Sequence, residues 1–490
     1  MPWDRGLFRS APFGRVPNVK ATAGRLILAS VAILFVVVAA PVVLRGAPLA
    51  DDYGYCVIPN TDGLGSMYSD VIRDIGANRP TRLLTIAVVA SLCERVPFGV
   101  VIAIPLVLTL LVAMLTAGLL RDLGVTAPWP HIGGALWLLQ PLGTEAALWP
   151  SALHISLGLV AGLAALRLLR RGRIGWGILA ALIAVLSVEQ LIFALPLVAW
   201  FVTPAKLRNR ATGAIALLSA TVIASQLLWP GIGDRTAVSI VDRLTNPLRG
   251  IDFYAVFPAT SFGLHSIPTA VLWALPISLV VLVAGAALGA LVGPRLPAPE
   301  REPGLPSSGF WGAAVVMVLL LNVPVMVSFP HPDAPRVFAP TWLALSTVVA
   351  IVGARVAWQR LRVVGGVAGV AVAGVFLSLA FSVSVRVRSA DITEPAIRWL
   401  ATEVPAGGRV HICDVPRTAV SPAPNGDFAL HEFMWSWSAE PALIYYEDHP
   451  ATVRITYRWE EPSCPDSSQA DVVLTYDELI EEGRRFGGKG

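Results

Sequence analysis

The sequence predicts an α-helical polytopic membrane protein, and three observations carry that prediction. Of 490 residues, 55% are hydrophobic and 14% charged, whereas a soluble domain carries about 25% charge. Apolar runs of roughly 18 residues or more recur along the chain, long enough to cross the hydrocarbon as helices. The cations cluster in short stretches between those runs, where they orient spans. The formal net charge of +4 therefore calls for no nucleic-acid partner.

Residues 1–25 carry Arg5, Arg9, Arg15, Lys20 and Arg25 against Asp4, so the positive-inside rule makes this segment cytoplasmic. Span 1 is expected over 26–45. It is too long for a signal-peptide core and lacks a small-residue cleavage site. The stretch Leu49-Ala50-Asp51-Asp52-Tyr53-Gly54-Tyr55 then falls outside, in a long first outer loop, 46–96. Within that loop, 64–75 reads as a short amphipathic surface helix. Asn78-Arg79-Pro80-Thr81-Arg82 follows, then a short apolar piece, 83–92.

If that piece spanned, Arg121, Arg170-Arg171-Arg173 and Lys206/Arg208/Arg210 would all face out. If it lies on the surface or dips in and returns, all of them face in, and the charge rule holds at every turn. The second reading is adopted. Spans 2 to 7 are then expected over 97–120, 129–143, 151–169, 174–188, 190–203 and 211–229. A second outer loop covers 230–267. Spans 8 to 11 are expected over 268–293, 309–329, 338–357 and 363–384, with 294–308 inside and 330–336 outside. The total is about eleven transmembrane helices within a domain over 26–384. Residues 385–490 are polar and read as a small extracytoplasmic α/β domain, with a helix over 396–402 and strands over 409–413, 442–446 and 472–475.

All four cysteines, Cys56, Cys93, Cys413 and Cys464, fall on the outer side, where disulfides persist. Pairs Cys56–Cys93 and Cys413–Cys464 are consistent with that placement; four free thiols are the alternative.

Carboxylates are costly beside hydrocarbon, which makes Asp51 and Asp52 the leading functional candidates. A carboxylate can take the proton of an attacking hydroxyl, and a pair can hold a divalent cation. The plain alternative is solvation at the interface or a helix cap. Arg79 and Arg82 offer guanidinium groups suited to a phosphate, unless they only snorkel at the surface. Glu189-Gln190 marks the tip of a tight hairpin, either facing a polar cavity or forming a solvated turn. His331, Asp333 and Arg336 share a proline-bounded outer loop, with too few ligands for a metal site. Glu145, Trp149 and His154 cluster near an outer helix end. Tyr53, Tyr55, Phe253, Tyr254, Trp435 and Trp437 could stack on sugars or anchor the surface. No nucleotide-binding loop, dinucleotide fingerprint, zinc spacing or nucleophile elbow occurs.

The Ala50-Asp51-Asp52-Tyr53 motif after span 1, the long first outer loop, Asn78-Arg79-Pro80-Thr81-Arg82-Leu83-Leu84 and the outer polar tail together resemble the GT-C superfamily of integral-membrane glycosyltransferases. The sharper match covers about residues 26–200. The pattern is most similar to bacterial enzymes of the O-antigen glucosyltransferase and polyprenyl-phosphate mannosyltransferase kind. The resemblance implies a GT-C-like fold in the plasma or inner membrane, and the charge pattern sets the amino terminus in and the carboxyl terminus out. It implies inverting transfer of a hexose or pentose from a polyprenyl-phosphate donor to a cell-envelope glycan or lipid acceptor. Asp51 or Asp52 would be the base. Arg79, Arg82 and Arg336 stand where donor-phosphate contacts are expected, with Tyr53, Glu189 and His331 as further candidates. No cofactor is required, and a divalent cation is optional. The Arg-Pro-Thr-Arg sequence departs from the commoner Gly-Arg-aromatic or Pro-Pro pattern, so the sugar stays open.

Two other readings are weighed. Transporters or flippases of lipid-linked glycans usually show pseudo-symmetric halves and helices broken at midplane; this chain shows no repeat, and its polar residues gather on one face. A non-catalytic envelope scaffold is the third.

Overall fold

A computed structural model of the chain describes residues 19–48, 51–61, 63, 65, 80–139, 143–227, 314, 316, 317, 320, 321, 339–354, 387, 390–415, 420–422, 428–430, 436–447, 451–457 and 470–487. The expectations for 230–267, 268–293, 294–308, 330–336 and 363–384, and for most of 64–75 and 309–329, lie outside these.

The described residues are mostly helical. α1 (Val19–Arg45), α2 (Asp51–Thr61), α3 (Pro80–Cys93), α4 (Phe98–Asp122), α5 (Trp129–Leu138) and α6 (Gly143–Leu148) come first. A 3-10 turn, Pro150–Ala152, leads into α7 (Leu153–Arg170), followed by α8 (Ile174–Ser187), α9 (Glu189–Val202), α10 (Ala205–Leu227) and α11 (Ala339–Gly353). Among the described residues three helices are long and apolar enough to cross a membrane: Ala21–Arg45, Phe98–Asp122 and Pro150–Arg170. Of these three, α7 is the most enclosed and α1 the least. On α1, Leu26, Ile33, Val37 and Leu44 are 62–84% exposed. Large apolar side chains turned outward suit lipid rather than water.

Close contacts set the helix directions. A side chain at Gly99 would run into the Val43 carbonyl, and one at Gly24 into the His131 ring. α1 therefore runs against α4 and meets the start of α5 with its first turns. α5 runs back along α4: the Trp137 indole donates to the Thr109 carbonyl at 3.0 Å, and Gly133 abuts Leu120. α11 reverses again, with Trp342 Nε1 donating to Leu136 O at 3.0 Å and Gly353 against Trp129. The last turns of α4 and α7 are ion-paired, Arg167 to Asp122 at 2.9 Å and Arg171 to Asp122 at 3.3 Å. Those two helices are therefore parallel.

The bundle consequently has two chemically different ends. Arg121, Arg167, Arg170, Arg171, Arg173, Lys206, Arg208 and Arg210 sit at one, where Leu207 also approaches Gly172. The start of α2, the start of α7, the α8–α9 turn and the first residues of α11 lie at the other. Gly158 of α7 packs on Ser187 and Val188 there.

Three expectations are corrected. The helix expected over 129–143 ends at Leu138, and α6 begins at Gly143. α5's ten residues cover only ~15 Å, short of the expected span. The strand expected over 442–446 is part of a helix, Ser436–Glu447. Its Ala-Leu-Ile-Tyr-Tyr run favours a strand in isolation, but Ala439, Ala442 and Leu443 recur at helical spacing and are buried. The residues just after span 1, read as loop, form α2.

The piece read as 83–92 is α3, 14 residues long and ~21 Å from end to end, short of a ~30 Å hydrocarbon layer. Both its ends are tied to consecutive residues of α2. Arg82 bonds Tyr55, and Cys93 is disulfide-linked to Cys56, with Cα atoms 5.6 Å apart.

In the C-terminal part, α12 (390–403), α13 (Ser436–Glu447) and α14 (Tyr476–Gly487) surround a parallel three-stranded sheet of order β4-β1-β5. Its strands are β1 (Arg409–Val415), β4 (Thr452–Tyr457) and β5 (Val472–Thr475). A separate two-stranded pair joins β2 (Val420–Pro422) to β3 (Phe428–Leu430). β4 was not anticipated from the sequence. The core combines Ile397, Leu400, Ile412, Leu474, Leu479 and Ile480 with one residue from outside, Tyr53 of α2.

Candidate functional site

The site end is built around α2. Its composition opposes a helix at Gly54 and Pro59, but Asp52 brings a carboxylate to the first turn, where the helix dipole favours it. Packing then sets its faces. Asp52, Tyr55 and Cys56 stand at i, i+3 and i+4 on one side, and all three are buried.

Asp52 is 0% exposed. Its Oδ1 accepts the backbone N–H of Ser151 at 3.1 Å. Ser151 lies in the 3-10 turn before α7, where the N–H groups of a helix start lack partners within the helix. A buried carboxylate needs such donors to offset its desolvation, and α7 supplies one together with its positive dipole end.

Arg82 projects from the first turns of α3 and is 8% exposed. Its Nε donates to the Tyr55 hydroxyl at 2.6 Å, which places the guanidinium on the α2 face that carries Asp52. Next to it, Thr81 Oγ1 donates to Leu186 O at 2.7 Å. That bond fixes the start of α3 on the α8–α9 turn. Val188 is extended there, Glu189 opens α9, and Gln190 is buried. Three candidates far apart in sequence, Asp52, Arg82 and Glu189, thus share one end of the bundle, and His154 is buried in the first turn of α7 beside them.

Tyr53 goes elsewhere. It is 1% exposed and enters the C-terminal core, 5.6 Å edge-on to Tyr445 and 6.1 Å from Tyr446 between ring centroids. Its hydroxyl lies 3.4 Å from that of Tyr446. Burial, then the adjacent Tyr446 phenol, pushes the Tyr53 hydroxyl well above the usual tyrosine range, so it stays protonated. Tyr53 is a packing and hydrogen-bonding residue of the domain contact.

The backbone of Asp51 opens α2. Arg79, His331, Arg336 and Cys464 lie outside the described residues. Cys413 is disulfide-bonded. Among the described residues no group of three or more His, Cys, Asp or Glu side chains gathers as metal ligands. Sequence reasoning missed Ser151, which acts through its backbone, and Arg45, Asp391, Glu394, Tyr445 and Tyr446, which join α1 and α2 to the C-terminal part. The available signal was the i, i+3 spacing of Asp52 and Tyr55, which becomes meaningful once 51–61 is read as a helix.

Chemically, the arrangement offers an oriented carboxylate that can accept a proton and, on the same helix face, a planar cation that can hold a phosphate. No protein-family profile matches the chain, and no curated protein matches it. One solved structure found to be similar is the crystal structure of ArnT from Cupriavidus metallidurans in the apo state, at 16% identity and a TM-score of 0.36, covering 88% of this chain and 86% of that one.

Proposed function

We propose that the protein is a membrane glycosyltransferase of GT-C type that moves a sugar from a polyprenyl-phosphate donor to a cell-envelope glycan or lipid acceptor. The observation that carries the reading is the buried Asp52 carboxylate on the helix face that meets Arg82, at the bundle end opposite the cationic turns. Cationic ends face the cytoplasm, which directs the aspartate end outward. A disulfide at that end fits an oxidising compartment. Nucleotide sugars are cytoplasmic, so an outward site calls for a lipid-phosphate donor.

In the reaction, the acceptor hydroxyl attacks the anomeric carbon and the carbon–oxygen bond to phosphate breaks, with inversion. The proton passes to Asp51 or Asp52, and the lipid phosphate leaves as an anion held by Arg82, with Arg79 and Arg336 as further phosphate contacts. Charge is neutralised by guanidinium groups, so a divalent cation is optional. The transferred group is a hexose or pentose.

The test is transfer from a radiolabelled polyprenyl-phosphate sugar by membranes carrying the wild type, Asp51→Asn or Asp52→Asn. At least one variant is expected to lose about 100-fold or more, within the range for a general base. Full activity in both overturns the aspartate mechanism. Cysteine-accessibility labelling at positions 170 and 460 checks the orientation; labelling of 170 from outside overturns it.

A further inference from the structure

We infer that the C-terminal domain is a working part of the aspartate site: it clamps both ends of the short segment that carries Asp51 and Asp52, with Glu394 and Tyr446 as positioning residues. The inference rests on the glycosyltransferase reading only for what the clamped aspartates do.

The upstream clamp is ionic. Arg45, the last residue of α1, donates from Nε to Asp391 Oδ1 at 2.6 Å, and its NH2 group meets Glu394 at 2.6 Å. Both acids lie on α12. The downstream clamp is aromatic. Tyr53, next to Asp52, is packed against both Tyr445 and Tyr446 of α13, whose own rings stand edge to face at 5.1 Å. The two clamps are joined within the domain. Glu394 also pairs with Arg398 at 2.8 Å, and the Arg398 guanidinium lies 4.7 Å above the Tyr446 ring. Between Arg45 and Tyr53 the chain therefore has its two ends fixed to two helices, α12 and α13, that share one core with the parallel sheet.

Tyr445 reaches across the seam. It packs against both the bundle core and the C-terminal core. Burial first, then Glu394, and in smaller part Asp52, push its phenol upward, against the opposing pull of Arg398. A loosened clamp would let α2 shift relative to the start of α7 and to Arg82. Misplacement of about 1 Å in a catalytic constellation can cost on the order of 100-fold in rate.

The test compares Arg45→Glu, Glu394→Arg, the Arg45→Glu/Glu394→Arg pair and the mild variant Tyr446→Phe in full-length protein in nanodiscs. Hydrogen exchange over 51–61 reports the clamp, and transfer from a radiolabelled polyprenyl-phosphate sugar reports kcat and KM. Each single charge variant is expected to speed exchange about tenfold or more and to lower kcat about tenfold with donor KM within about twofold. The charge-swapped pair restores the 45–394 attraction, while position 45 still faces Asp391 and position 394 still faces Arg398, so it recovers both in part, which simple misfolding would not allow. Tyr446→Phe, which keeps the ring, shows a smaller change in the same direction. Unchanged exchange in the single variants overturns the clamp. Faster exchange with unchanged kcat overturns the positioning role. If exchange responds and the swap restores it in part, but the wild type transfers from no lipid-phosphate sugar, the clamp stands and the glycosyltransferase reading fails.

Discussion

Ser151 donates its backbone N–H to Asp52 Oδ1 at 3.1 Å, joining α2 to the start of α7, the most enclosed of the described long helices. Because the donor is main chain and both residues are buried, the carboxylate position is set by the fold. Asp52→Ala strands that N–H and is expected to lower stability by about 1–3 kcal/mol. Asp52→Asn retains an acceptor oxygen and should stay within about 1 kcal/mol of wild type, and it too loses transfer activity if Asp52 is the base. Thermal unfolding in detergent, read beside the transfer assay, separates the effects. Equal Tm losses in both variants would contradict the bonding role.

Much of the bundle was legible in the sequence, because long apolar runs and cationic turns are strong signals. The helices Phe98–Asp122, Ile174–Ser187 and Glu189–Val202 stand within two residues of expectation. α2 was not legible, because Gly54 and Pro59 suppress the helical signal and the face that rescues it is recognised only through packing on α3, on the 3-10 turn before α7 and on α13. The strand expected at 442–446 failed for the same reason: tertiary packing of Ala439, Ala442 and Leu443 outweighs the preference of a β-type run. Asp52 and Arg82 were identifiable by residue type and place. Tyr53 was read as a sugar-stacking or surface aromatic, and its true partners lie almost four hundred positions away in the chain, |i−j| 393 for Tyr446, beyond any local pattern.

Arg82 and Tyr55 give the second prediction. The 2.6 Å bond to the phenol fixes the direction of the guanidinium. Tyr55→Phe keeps the cation and releases it, so donor KM should rise about fivefold to tenfold, the equivalent of ~1–1.4 kcal/mol, with kcat less affected. Arg82→Lys keeps charge but loses the planar fork, and Arg82→Met loses both. Activity should fall in the order Tyr55→Phe, Arg82→Lys, Arg82→Met, the last by about 100-fold or more. Steady-state kinetics on the donor series checks the order, and a Tyr55→Phe enzyme with wild-type KM contradicts it.

The far end of the bundle should respond differently. Asp122 binds Arg167 and Arg171 through its side chain, and its carbonyl accepts Arg170 Nε at 3.2 Å. Asp122→Asn leaves the half-buried Arg167 without its charged partner and is expected to cost about 1–3 kcal/mol in stability. Turnover per folded molecule should stay within about twofold, since this end holds none of the aspartate machinery. Tm and active-fraction-corrected kcat test this together. A specific kcat loss at unchanged Tm would move part of the chemistry to the cationic end.

The Cys56–Cys93 bond closes a loop with a sequence separation of 37, for which the chain-entropy estimate is about 3–4 kcal/mol. It also holds the far end of α3 against α2, while Arg82 holds the near end. Cys56→Ser and Cys93→Ser should each lower Tm and raise donor KM, because α3 then pivots about its first turn and Arg82 loses its fixed approach to Tyr55. The double variant should look like either single one, since both remove the same link. A membrane-impermeant reductant added to intact cells should shift the protein on a non-reducing gel, followed by the same loss of activity. If only permeabilised cells respond, the bond and the aspartate end beside it face the cytoplasm, and the outward orientation of the site is wrong.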